Sequence, residues 1–302
     1  MEKGAVKVKD RPSILITGAR GMLGRDLMKV FSNGFRLLGI DIQDADITDL
    51  WKIDKIFRRF RPDTVIHTAA FTDVDGCEKK PDKAFLVNAL GTRNIALACR
   101  RTRSRLVYLS TDYVFPGTKG APYTEFDPPG PINVYGRSKL AGERYVATLL
   151  SRFFIVRTSW LFGHHGKNFV DTMIRVLRSE GAAKVVNDQW GAPTFAVDLA
   201  GKILEIVEDG SYGTYHVTNG GICSWYELAR KIADLGGFRG VKISPLTSGE
   251  ISRAAQRPRY SVLDNMVLRL DGFAPIRPWE EGLKAFLVQR NEYLTEARHD
   301  DR

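Results

Sequence analysis

From Ser13 onward, short runs of Val, Ile and Leu alternate with longer amphipathic stretches. The runs SILIT (13–17), RLLGI (36–40), TVIH (64–67), RLVYLS (105–110) and FFIVRT (153–158) read as strands, because sheets covered on both faces select near-continuous apolar segments. Between them the pattern predicts helices near 22–31, 49–60, 82–101 and 135–149. Strand and helix in strict alternation predict an α/β fold, a Rossmann-like doubly wound parallel sheet with right-handed crossovers. Beyond residue 158 the alternation loosens around GHHGKN (163–168) and NDQWGAPT (187–194), so a smaller, interleaved C-terminal lobe is expected over 159–195 and 218–290. A helix near 196–208 and the strand GTYHV (213–217) are expected to return to the main sheet, which makes the larger domain 12–158 joined by about 196–217. Residues 1–11 and 291–302 are polar and expected to be flexible tails.

Composition narrows the class without naming a function. The 302 residues are 43% apolar and 10% aromatic, enough for a sizeable core. No stretch approaches the ~18 consecutive apolar residues of a membrane span, and the opening MEKGAVKVKDRP is charged, so a cytoplasmic protein without a membrane partner is expected. Cys77, Cys99 and Cys223 form no CxxC pair and read as reduced, structural thiols. A net charge of +10 raises the question of nucleic acid. The basic runs RRFR (58–61) and RRTRSR (100–105), however, fall at expected helix ends, where cations meet the negative end of the helix dipole. No basic motif interleaved with aromatics points to a nucleic-acid partner.

The first candidate site is TGARGMLG (17–24), which joins the first strand to the first helix. Gly18 suits a tight turn, Gly21 lets a backbone approach a pyrophosphate at the positive helix start, and Gly24 permits close packing of helix on strand. This is the pattern of a dinucleotide site. Asp41 ends the second strand about 20 residues on, where a carboxylate accepts from an adenosine ribose and favours NAD. Arg20, inside the turn, favours a 2′-phosphate and hence NADP, so NADPH and NADH both stay open. Asp46 either reaches the adenine or, like Thr48, caps the next helix.

The second candidate is Tyr135 with Lys139, four residues apart on one helix face. A free tyrosine ionises near pH ~10; a nearby ammonium and an oxidised nicotinamide favour the tyrosinate, so Tyr135 can serve as general acid in reduction. Lys139 would lower that pKa and hydrogen-bond the nicotinamide ribose. STDYVF (110–115) lies at the C-terminal end of a strand, where open α/β sheets place ligands, and Thr111 offers a hydroxyl there. The Pro- and Gly-rich segment 116–131 is too long for a routine connector and reads as a wall or lid. His67, His164, His165 and His216 have no metal-ligand spacing, and no metal is expected.

TGARGMLG, STDYVF and YGRSK together resemble the extended short-chain dehydrogenase/reductases. Within them STDYVFPG, NVYGRSKLAGE, RTSWLFG and NDQWGAPT resemble the dTDP-4-dehydrorhamnose reductase family over roughly residues 12–290. The resemblance implies reduction of the C4 ketone of dTDP-4-dehydro-β-L-rhamnose to dTDP-β-L-rhamnose by NADPH or NADH, with the smaller lobe holding the dTDP-sugar. It implies catalytic roles for Thr111, Tyr135 and Lys139. Gly21, Met22, Leu23, Asp41, Asp46, Ile47, Thr68, Ala69, Ala70, Tyr135 and Lys139 fall at cofactor-contact positions. Thr111, Asp112, Trp160, Gln189 and Arg257 fall at or near substrate positions. Trp160 packs either against the ligand or into the core. Some members dimerise around magnesium, and Asp26 stands at one comparable place; a monomer or homodimer without metal is expected.

Two other functions share these features. A regulatory, non-catalytic relative of the family binds a methionine adenosyltransferase, and intact Thr111, Tyr135 and Lys139 weigh against that role. Nucleotide-sugar epimerases and dehydratases share the glycine turn and the Tyr/Lys pair but would retain NAD tightly, whereas a reductase exchanges cofactor at each turnover.

Overall fold

The computed structural model describes residues 11–297, with side chains described as far as residue 290. Six parallel strands form the central sheet: β1 (Ser13–Thr17), β2 (Arg36–Ile40), β3 (Thr64–His67), β4 (Arg105–Thr111), β5 (Phe153–Thr158) and, later in the chain, β10 (Gly213–His216). Their order is β10-β5-β4-β3-β1-β2, so the sequence reverses direction beside β1. Such a reversal opens a crevice at the strands' C-terminal ends. The five early strands match the apolar runs within a residue, and the GTYHV segment joins the sheet beside β5.

Helices cover both faces. α1 (Met22–Val30) and α8 (Ala196–Asp209) pack together on one face, burying Leu23, Leu27, Leu199, Ile203 and Ile206 against Ile14, Ile16 and Val107. On the other face lie α2 (Leu50–Phe60), α5 (Thr92–Thr102) and α6 (Val134–Leu149), over Leu15, Val65, Leu106 and Tyr108. Asp49, rather than Asp46 or Thr48, caps α2 by accepting from the Trp51 and Lys52 amides. α2 and α5 end at Arg61 and Arg103 in left-handed conformation, and Arg58 and Arg101 both pair with Asp54 at 2.7 Å. The basic runs are thus helix ends, as their position suggested.

The single helix expected near 82–101 is instead composite. α3 (Val74–Lys79) and α4 (Pro81–Phe85) precede a π-helical stretch, Leu86–Gly91, that runs into α5. The wider turn places Asn88 where its side chain binds both backbone groups of Phe71 and the Ser138 hydroxyl of α6.

The remaining chain builds a second core around Phe162, Ile174, Phe195, Ile232 and Phe286. Its elements are β6 (Leu161–Phe162), α7 (Phe169–Glu180), β7 (Ala182–Val186), β8 (Trp190–Gly191), β9 (Thr194–Phe195), β11 (Cys223–Ser224), α9 (Trp225–Leu235), β12 (Lys242–Leu246) and α11 (Trp279–Ala297), while α10 (Met266–Leu270) returns to pack beside β10, with Leu268 in the core of the main sheet. α11 carries the backbone as a helix through 291–297, where a tail was expected; the rest of the two expected tails, 1–10 and 298–302, lies outside the described residues. Cys77, Cys99 and Cys223 are buried free thiols. Among the described residues no helix is long and apolar enough to cross a membrane.

Segment 116–131 is neither wall nor lid of the crevice. The Gly117, Thr118 and Lys119 amides all donate to the buried Tyr123 hydroxyl at 3.0–3.1 Å. Glu125 accepts from the His216 amide at 2.8 Å, so the loop covers the open edge of β10 and satisfies a strand donor that no neighbouring strand meets.

Candidate active site

The crevice over the sheet is one long cleft of about 1170 Å³. That is more than the ~300–1,000 Å³ usual for one small ligand, and it extends from the glycine turn, across the end of β4, to the second lobe.

At one end Gly18 holds φ +71°, and a Cβ there would fall 2.8 Å from the Ala69 nitrogen. A Cβ on Gly24 would fall 2.1 Å from the Gly18 carbonyl oxygen, which explains both glycines as steric necessities. Gly21 is different: its Cβ would meet just the Gly18 oxygen, at 3.2 Å, leaving its other side open to the cleft. It is also the N-cap of α1, with no side-chain cap and no acidic residue in the first turn. The amides that begin α1 are therefore free for an anion. The turn fits a dinucleotide pyrophosphate on these structural grounds.

Next to the turn, Asp41 accepts from the Arg20 and Ile42 amides, at 2.9 and 2.8 Å. The Arg20 side chain bends over the rim to Gln43 (2.9 Å) and Asp44 (3.3 Å) and does not line the cleft. Asp46 turns its carboxylate onto the amide and hydroxyl of Thr48. Asp46, Ile47, Thr68, Ala69 and Ala70 line the same side, with Met22 and Leu23 on the helix side.

At the centre, α6 begins where Asn133 accepts from the Gly136 amide at 2.8 Å, and its first two turns present Tyr135 and Lys139 to the cleft. Lys139 is buried. Its Nζ donates to the Leu109 carbonyl at 2.7 Å and sits 4.2 Å above the Tyr108 ring. Burial pushes its pKa down to about 7, partly opposed by Glu143 one turn further along α6. Thr111 donates to Asp112 at 3.0 Å, stands beside the Tyr135 phenol, and accepts from the Tyr113 amide at 3.2 Å. Burial holds the Asp112 carboxyl up at about 7. Burial first, then the Asp112 charge, push the Tyr135 pKa up in the cofactor-free chain, with a hydrogen bond from Thr111 acting the other way. Lys139 meanwhile directs its Nζ to the Leu109 carbonyl. The outcome is a neutral phenol, the form a proton donor needs.

At the far end Trp160 holds a positive φ of 46° and stacks on Trp225, ring centroids 3.5 Å apart and planes 7° from parallel. A Cβ on Gly191 would lie 2.3 Å from the Trp160 ring. Trp160 thus lines the cleft as part of an indole pair, with Phe169 packed on Trp225 at 4.6 Å. Gln189 and Arg257 do not join it. Gln189 is buried and donates to Ser248 at 2.8 Å, while Arg257 is spent on a two-pronged pair with Asp75 at 2.7 Å behind Tyr113. Sequence reasoning missed Trp225, Phe169 and Lys167, which line the cleft. A signal for Trp225 existed: Ser224 and Glu227 form a capping box that starts α9 with this tryptophan at its first position.

The dTDP-4-dehydrorhamnose reductase of Streptomyces griseus is 42% identical to this chain over 280 residues, spanning 90% of this chain and 92% of its own. The family described as RmlD substrate binding domain matches residues 12–291. This chain belongs to the dTDP-4-dehydrorhamnose reductase family. It is accordingly an oxidoreductase of Rossmann type. Another relative, the dTDP-4-keto-6-deoxy-D-glucose reductase of Streptomyces niveus, is 43% identical over 89% of this chain and 94% of its own length. Among solved structures, the Bacillus anthracis dTDP-4-dehydrorhamnose reductase in complex with NADP superposes with a TM-score of 0.90 at 43% identity, covering 92% of this chain and 99% of that one. The family's members thus include reductases named for more than one 4-keto sugar carried on dTDP.

Proposed function

We propose that the chain reduces the C4 ketone of dTDP-4-dehydro-β-L-rhamnose to dTDP-β-L-rhamnose with NADPH or NADH, Tyr135 giving the proton. The observation that carries this reading is the convergence of a neutral Tyr135, Thr111 and buried Lys139 in one cleft that continues to the uncapped glycine turn. A bound nicotinamide cofactor would supply the hydride. The turn around Gly21, with Met22 and Leu23, would hold its pyrophosphate, and Asp41, Asp46 and Ile47 its adenosine end. Thr68, Ala69 and Ala70 would flank its middle, with Lys139 exchanging the Leu109 carbonyl for ribose hydroxyls.

As negative charge grows on the ketone oxygen, Tyr135 releases its phenolic proton to it, and Thr111 orients the same oxygen by hydrogen bonding. Lys139 then offsets the charge left on the phenolate. Asp112 and the Trp160–Trp225 wall face the sugar end. The division of labour follows the chain: 12–158 joined by about 196–217 for the dinucleotide, 159–195 and 218–290 for the dTDP-sugar. Supplying the 4-keto sugar should cause rapid loss of reduced-nicotinamide absorbance; cofactor binding without sugar-dependent oxidation would overturn the assignment.

A second reading keeps the chemistry and changes the sugar, since the Streptomyces niveus relative is named for dTDP-4-keto-6-deoxy-D-glucose. Comparing kcat/KM for the two 4-keto sugars decides between them.

A further inference from the structure

Three lysines line the cleft: Lys83, Lys139 and Lys167. Two have partners. Lys139 is bonded to the Leu109 carbonyl, and Lys83 lies 5.0 Å from the Phe71 ring centroid. Lys167 is exposed and makes no ion pair or side-chain hydrogen bond among the described residues. Its place is set by its neighbours. Asn168 caps α7 by accepting from the Asp171 amide at 2.9 Å, and its side chain also donates to the Gly163 carbonyl at 2.9 Å, which ties the loop 163–168 at both ends. His164 adds a contact to Gln289 at 2.9 Å. The loop is pressed onto the start of α1. A Cβ on Gly163 would meet Met22 Cγ at 3.1 Å, and one on Gly166 would lie 3.7 Å from Met22 Cβ and 4.0 Å from the Met22 amide nitrogen. Met22 is the first residue of α1, directly after Gly21.

We propose that Lys167, carried by the second lobe, is a positioning residue that closes over the glycine turn and supplies the cation for the pyrophosphate of the bound dinucleotide. The inference rests on reading the cleft as a dinucleotide site. The turn offers backbone amides and half a helix dipole but no cation that lines the cleft: Arg20 points away to Gln43 and Asp44, and Arg25, whose Nε donates to the Arg20 carbonyl, lies outside the cleft lining. Two phosphate charges at that turn call for a counter-charge, and Lys167 on its anchored loop is the cleft-lining cation beside it. A pyrophosphate is common to NADH and NADPH, so this contact would not choose between them. It would tie cofactor affinity to the second lobe, because the lysine sits between β6 and α7 rather than in the dinucleotide domain.

The test is direct binding, read by isothermal titration calorimetry, of NADPH, NADH and ADP-ribose to the full chain and to Lys167→Gln and Lys167→Arg, with dTDP titrated in parallel. Lys167→Gln should loosen all three pyrophosphate ligands by a common factor of roughly three to ten, the range for a partly exposed charge-assisted contact, and flatten the salt dependence of binding. Lys167→Arg should restore most of the affinity, and dTDP binding should stay unchanged. Loss confined to NADPH would assign Lys167 to the 2′-phosphate, loss confined to dTDP would assign it to the sugar nucleotide, and no loss would leave it without a role; each overturns the proposal. These readouts need no sugar turnover, so a failure of the reductase assignment would show separately, as intact dinucleotide binding without oxidation.

Discussion

Tyr135 and Lys139 show how far residue identity and spacing carry an argument, and where environment takes over. Four-residue spacing on a helix puts both side chains in the cleft, and that much was readable from YGRSK. Their charge states were not. The spacing suggests an ammonium and an oxidised nicotinamide lowering a phenol's pKa; without cofactor, burial pushes the phenol up and the lysine down to about 7. Desolvation depends on what surrounds a group in three dimensions, which no local motif records. The consequence is a prediction about one oxygen atom. Tyr135→Phe should keep nicotinamide binding near that of the parent and lower kcat by about 10²- to 10⁴-fold, the span general-acid catalysis contributes. Near-normal kcat with bound cofactor would remove Tyr135 from the proton-donor role. Gln189 and Arg257 teach the opposite lesson. Both were assigned by resemblance of neighbouring segments, and the structure spends Arg257 on Asp75 and Gln189 on Ser248.

At the scale of elements, the strands were legible because parallel strands buried on both faces leave an unbroken apolar signature. The 86–91 π-helical stretch was not, since one extra residue per turn leaves no hydrophobic period of its own, yet it sets Asn88 between Phe71 and Ser138. Segment 116–131 misled for a related reason: its prolines and glycines announce an irregular path but not the surface it follows. α6 carries a second consequence. Glu143, two turns beyond Tyr135, makes a buried two-pronged pair with Arg157 of β5 at 2.7 and 3.0 Å and accepts from Ser110. This pair fixes the rotation and height of α6 over the sheet. Glu143→Ala should cost about 3–5 kcal/mol of stability, the penalty for leaving a buried charge unpaired, visible as a lower denaturation midpoint. Asn133→Ala, which removes the α6 cap, should cost about 1 kcal/mol. A midpoint unmoved by Glu143→Ala would mean that Arg157 finds another partner.

Across the whole molecule, the return of β10 and α8 to the main sheet makes the two lobes interdependent rather than sequential. Asp198 of α8 joins them, holding Arg277 at 2.7 and 2.9 Å and Asn219 at 2.7 Å. Global stability should carry an acid limb from buried histidines. His67, between the Thr17 and Thr92 hydroxyls, is held down at about 3 by burial, as is His216. Between pH ~6.5, the unfolded value, and about 3, the unfolded chain binds the extra proton, so stability is lost as pH falls through that window. Asp112, held up at about 7, acts in the opposite sense over roughly pH 4–7. His67→Gln isolates one histidine: the fall in unfolding free energy between pH 6 and 4 should become shallower by about 1.4 kcal/mol per pH unit. An unchanged slope would show that His67 titrates normally in the fold.

In the proposed reaction, hydride leaves a nicotinamide and arrives at C4 of the sugar. The most direct measurement supplies NADPH deuterated at nicotinamide C4, on each face in turn, with dTDP-4-dehydro-β-L-rhamnose, and reads the product by proton NMR. Deuterium should appear at sugar C4 from one of the two labelled faces, with the configuration of dTDP-β-L-rhamnose. Product that carries no label from either face, or label at another carbon, would contradict the proposed reaction.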